Sequence, residues 1–153
     1  VAFRVVATLA VLALAGTLLV GLVAGTVARA RARRTAASVR DELGPDRVRL
    51  VEPTAEFFGL ASAGRRGVRG NGILAASDDT VLFTTWAPRH TLRIRRSDIV
   101  AVDTPRTHGG RARLRPLLRI TYRDGTGRDE RAAWRVRDLD AWLAELGPPA
   151  PRP

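Results

Sequence analysis

The chain has 153 residues, 26 basic and 15 acidic, for a formal net charge of +11; that length suits one domain with extensions rather than two full domains. With no cysteine, no methionine and only two histidines, His90 and His108, disulfide frameworks, thiolate nucleophiles, cysteine metal sites and most zinc constellations are excluded. Every basic residue is an arginine, the mark of a GC-rich coding bias, so a single arginine says little about function.

Val5 to Ala28 runs without a charge. A bilayer core of about 30 Å takes roughly 20 apolar residues in a helix, so residues 1–28 read as one transmembrane anchor. A cleavable signal peptide is the rival reading, but its apolar region would run only about 7–15 residues. The one A-x-A candidate, Ala28-Arg29-Ala30, also has an arginine at its centre. Arg29, Arg31, Arg33 and Arg34, with Arg40 beyond them, outnumber Arg4 and the amino terminus on the opposite flank. The positive-inside bias therefore predicts a single-pass inner-membrane protein whose carboxy-terminal domain is cytoplasmic; arginines upstream of Val1 would weaken that bias. Gly21 and Gly25 stand at small-xxx-small spacing, which predicts a weak homodimer through the span.

Residues 29–47 predict a basic juxtamembrane stalk. Its arginines flank the span and face an anionic leaflet. Ala36, Ala37, Val39 and Leu43 favour a helix leaving the membrane, and Gly44-Pro45 stops it.

After residue 45 the apolar period becomes two, and residues 48–147 read as one module. Its first strand is the least clear, with weak periodicity around Val48 to Glu52. Ile73-Leu74-Ala75 predicts a strand. Thr80 to Trp86 predicts a half-buried one, Val81 and Phe83 alternating with Leu82 and Thr84. Further strands are predicted where Leu92 and Ile94 alternate with arginines, at Ile99 to Val102, at Leu118, Ile120 and Tyr122, and at Ala132, Trp134 and Val136. Ser77-Asp78-Asp79, Ala87-Pro88, His108-Gly109-Gly110 and Asp124-Gly125-Thr126-Gly127 supply the turns. Asp138 then caps a helix with Leu139, Trp142, Leu143 and Leu146 on one face, and Gly147-Pro148 closes it. Residues 148–153 predict a disordered proline-rich tail. The expected architecture is one transmembrane helix plus a mainly-β barrel or sandwich of six to seven antiparallel strands, capped by a carboxy-terminal helix.

That outline, with four motifs, resembles a family of uncharacterised bacterial, membrane-anchored pleckstrin-homology-like (PH-like) domains. The motifs are Phe57-Phe58-Gly59, Arg69-Gly70-Asn71-Gly72, Trp86-Ala87-Pro88-Arg89, and Val136-Arg137-Asp138-Leu139-Asp140-Ala141-Trp142-Leu143. The likeness covers residues 53–146. It implies a PH-like barrel and leaves function open, because such barrels serve lipid binding, peptide binding and scaffolding alike.

The residues give catalysis no footing. Neither His90 nor His108 has a serine or acid at an obvious spacing, and a nucleophile needs its base within hydrogen-bond reach. Asp124, Asp129 and Asp140 lack metal-loop spacing, and a turn accounts for Ser77-Asp78-Asp79 without an ion. No enzyme activity, cofactor or metal is expected. Gly64 to Gly72 is glycine-rich but has neither a Walker lysine nor a dinucleotide fingerprint. Arg65, Arg66 and Arg69 could still grip phosphate oxygens through guanidinium forks, and classical PH domains use this loop for phosphoinositides. Arg106, Arg111, Arg113 and Arg115 form a second basic loop, facing membrane or an acidic partner. Nucleic acid is not expected: arginines interleave with acids across the strands, and no nucleic-acid motif is present. Outward Leu82 and Trp86 would make a docking patch if exposed, but are expected to lie under Phe57-Phe58. The sequence thus predicts a tethered interaction or scaffolding module with a membrane-protein partner, and, as the alternative, accessory binding of anionic lipid headgroups.

Overall fold

The computed structural model describes residues 37, 39–112 and 114–147. The predicted span, its flanking arginines Arg29, Arg31, Arg33 and Arg34, the Gly21/Gly25 pair and the tail 148–153 lie outside them. Among the described residues no helix is long and apolar enough to cross a membrane.

Among the described residues nine strands follow residue 47: β1 (Val48–Leu60), β2 (Gly70–Ser77), β3 (Thr80–Thr85), β4 (Thr91–Arg95), β5 (Ile99–Asp103), β6 (Thr107–His108), β7 (Arg111–Ala112), β8 (Leu118–Arg123) and β9 (Asp129–Arg135). Seven form one antiparallel sheet in the order β4-β3-β2-β1-β9-β8-β5, while β6 and β7 pair only with each other. The long β1 joins two meanders. It pairs with β2 from Val48 to Phe57 and with β9 from Glu56 to Leu60. Register shifts between Glu52 and Ala55 and between Phe57 and Leu60 bend it as it passes from one neighbour to the other. Pro53, which has no N–H for a ladder, falls at the first shift.

The bend folds both meanders round one core. Phe57 stacks on Trp134 at 5.3 Å and lies 4.9 Å from Phe83, centroid to centroid. Ile94, Ile99, Leu118, Ile120 and Tyr122 complete the inner face. The hydrogen-bonded sheet does not close into a barrel. β4 and β5 are its edges, linked by the turn Arg96–Asp98. The final helix, α2 (Leu139–Leu146), buries Trp142 against the core and is held by Arg96, whose guanidinium donates to the Glu145 carbonyl (3.0 Å) and carboxylate. Its ends are as predicted: the Asp138 carboxylate accepts from the Ala141 N–H at 2.9 Å, and Gly147 ends it at φ 60°.

The helix before Gly44 ends where expected, but it also packs on the sheet. Residues 39–43 are helical (α1) and stop at Gly44, φ 84°. Val39 and Leu43 pack on the outer face of β2 and β3, over Ile73, Ala75 and Leu82, with Trp86 at the margin. Glu42 pairs with Arg93. All six residues of β3 are therefore buried, not one face of them, and Leu82 has no exposed area. The cover comes from α1 rather than from Phe57-Phe58. Phe57 points into the core, and Phe58 packs on the far outer face with Leu117 and Ala133.

Candidate functional site

The predicted basic loops lie between β1 and β2 and around β6–β7. Arg65, Arg66 and Arg69 do not form one claw. Arg66 is exposed on the rim of a hollow of about 380 Å³, floored by Phe57 and Phe83 and walled by Leu60, Val68 and Leu92, with His90 on the opposite rim. Val68 is 43% exposed there. Arg69 turns the other way. Its Nη2 donates to the Gly64 carbonyl at 3.1 Å, while its stem lies against Gly59, where a β-carbon would sit 3.6 Å from Cγ. Its buried Nε finds no acceptor among the described residues. Of Arg65 and Arg111 only the backbone is described, and Arg113 lies outside the described residues. Arg106 is exposed between β5 and β6, and Leu114 stands 98% exposed beyond β7.

The β6–β7 ribbon was not foreseen. Gly109 (φ 56°) and Gly110 (φ 71°) make a tight turn that residues with a β-carbon rarely adopt. They let the ribbon fold back over β1, so that His108, expected in a glycine turn, is buried. Its Nε2–H donates to the Gly59 carbonyl at 2.9 Å, which fixes the tautomer. Burial holds the imidazole below its usual range. The Gly59 carbonyl pulls it up, and Arg119, Arg131 and Arg69 press it down further.

Under the ribbon, on the outer face of β8 and β9, lies a cup of about 450 Å³ lined by Thr107, His108, the glycines 64, 109 and 110, Arg119 and Arg131. Arg119 and Arg131 were not singled out from the sequence; the signal was the outward half of the alternation on β8 and β9. A third groove, about 560 Å³, runs past Trp86, Arg115, Arg135 and Leu139. There Arg135 pairs with Glu56 at 3.2 Å.

Most acids near these surfaces are engaged. In the turn after β2, Asp78 and Asp79 pair with Arg49 and Arg47 at 2.5 and 2.7 Å, leaving no open cation cradle. Glu52, buried in β1, accepts from the Arg137 N–H (2.9 Å) and from Thr54. Glu130 is also buried. Burial alone would raise its carboxyl, but hydrogen bonds from Ser62 and the Arg131 N–H bring it below the ordinary range. Among the described residues no group of three or more histidines or acids could hold a metal. Arg66, Arg69, Arg106 and Arg131 form no ion pair among the described residues.

No protein-family model matches the chain, and a search of curated proteins finds no match.

Proposed function

We propose that this chain is a PH-like interaction module tethered to a bacterial inner membrane by its amino-terminal span, with the domain in the cytoplasm, where it scaffolds a membrane-protein partner. The strand order supports the PH-like reading: two antiparallel meanders meet through the first and last long strands, and one carboxy-terminal helix covers the core between them. The observation that carries the interaction reading is the apolar hollow under Val68, floored by Phe57 and Phe83 and rimmed by Arg66 and His90. Such a hollow fits an apolar side chain next to an acid, as on a peptide segment of a partner. Tethering raises the effective concentration of any partner on the same membrane, so a shallow contact suffices.

The alternative, accessory binding of anionic headgroups, draws on Arg66, Arg69 and Arg106, which lie in the predicted loops and lack ion-pair partners among the described residues. A photoreactive residue placed at Val68 of the full chain in native membranes separates the two. The interaction reading expects a discrete protein adduct that Leu92→Glu abolishes. Lipid adducts alone, together with vesicle binding that survives salt and is lost on combined replacement of Arg66 and Arg69 by alanine, would favour the headgroup reading.

A further inference from the structure

A second site, on a different face from the hollow, follows from how charge is distributed under the β6–β7 ribbon. Arg119 presents its Nε (2.8 Å) and Nη2 to the two carboxylate oxygens of Asp103, so its fork is engaged and its charge balanced. Arg131 and Arg69 have no such partner among the described residues. Successive residues on a strand face opposite sides: Glu130 is buried and taken up by Ser62, while Arg131 is exposed on the outer face. No carboxylate lines the cup. Its wall is small where a ligand would approach, with Ala61 and the glycines 64, 109 and 110, and Thr107 adds a hydroxyl. Arg69 borders it from behind, its Nη2 lying 3.6 Å from where a β-carbon on Gly109 would stand.

We infer that this cup binds a phosphomonoester dianion, with Arg131 as the principal contact, Arg69 as the second charge behind it, and Thr107 and the glycine turn closing round the phosphate. Two unbalanced guanidinium groups match two negative charges, and guanidinium forks suit phosphate oxygens. His108 remains tied to Gly59 through its Nε2–H. A phosphodiester carries one charge fewer and matches the pair less well. The cup is wider than a phosphate group, leaving room for a glycerol or sugar attached to it. The phosphomonoester could belong to a soluble metabolite or to the headgroup of phosphatidic acid. The site stands whether or not the hollow under Val68 takes a partner.

The test uses the full chain in phosphatidylcholine nanodiscs. One arm titrates in glycerol 3-phosphate with calorimetric detection; the other adds phosphatidic acid to the nanodisc and follows its phosphorus resonance. Glycerophosphocholine and phosphatidylglycerol serve as phosphodiester controls. Losing one charge-assisted contact predicts binding about tenfold weaker or worse in Arg131→Ala, with Arg131→Lys between it and wild type. Arg95→Ala, which removes an equal charge from β4, should leave binding unchanged. Circular dichroism of Arg131→Ala checks that the fold is retained. A response to glycerol 3-phosphate lost in Arg131→Ala assigns the soluble source. A response confined to phosphatidic acid and lost in the same variant assigns the lipid. No response in either arm, an equal response to the phosphodiesters, or equal loss in Arg131→Ala and Arg95→Ala overturns the site. Leu92→Glu belongs to the hollow and should bind as wild type does, so failure of one reading does not mimic failure of the other.

Discussion

The two outer faces of the sheet carry the same alternating pattern and meet opposite fates. On β2–β3 the outward residues Ile73, Ala75 and Leu82 are apolar, and the stalk helix seals them with Val39 and Leu43. On β8–β9 the outward residues include Arg119 and Arg131, and the ribbon above them leaves a polar cup. One cover completes a core; the other frames a recess. Period two thus says which residues share a face, while a neighbour distant in sequence decides whether that face becomes interior or site.

Replacements on the two faces should differ sharply in cost. Leu82→Ala removes a fully buried side chain between β3 and α1 and should destabilise the chain by about 2–5 kcal/mol, read from denaturant unfolding of the purified chain. An effect near zero would mean that α1 does not seal this face in solution. Asp138→Ala removes the cap of α2, which neither face touches, and should cost about 1 kcal/mol in the same assay. His108 sharpens the contrast through pH. Its folded pKa is lowered from 6.5, chiefly by burial, so the unfolded chain binds the proton more readily. The stability tied to a neutral His108 is therefore complete above about pH 6.5 and is lost as pH falls through the lower folded value. His108→Gln, which retains a donor for Gly59, should flatten that acid limb in unfolding curves collected from pH 7.5 to 5. Arg131→Ala should change stability least, within about 0.5 kcal/mol. A large loss there would make Arg131 a structural residue and remove the reason for leaving it unpaired.

Much of the fold was legible in the chain. Asp138 and Gly147 bound the helix as their chemistry dictates. The turn at Asp124 forms because its carboxylate accepts from the N–H groups of Thr126 and Arg128 at 2.8 and 3.0 Å. Leu118, Ile120 and Tyr122 turned inward as their alternation required. The β6–β7 ribbon was not legible, since two residues per strand carry no period. The start of β1 was blurred because its register against β2 shifts between Val48 and Leu50 and again around Pro53, between Glu52 and Ala55. The candidate site was half legible. The loop arginines announced themselves by clustering in sequence, but the split between Arg66 and Arg69 depends on Gly59 and Gly64. That Arg69 and Arg131 both border the ribbon depends on its folding back across the sheet.

The sharing of β1 between two meanders also sets an order of events during synthesis. β1 is the first strand made, yet its partner β9 is the last, with Glu56 waiting for Arg135. While the ribosome is still producing β8, the four-stranded meander β1–β4 can already be paired, but Phe57 and Phe83 lack Trp134 and the Trp142 plug. Such non-local pairing is slow compared with hairpin closure. A chain halted before residue 129 would therefore present a half-built apolar surface, open to chaperones and proteases until the last strand and helix arrive.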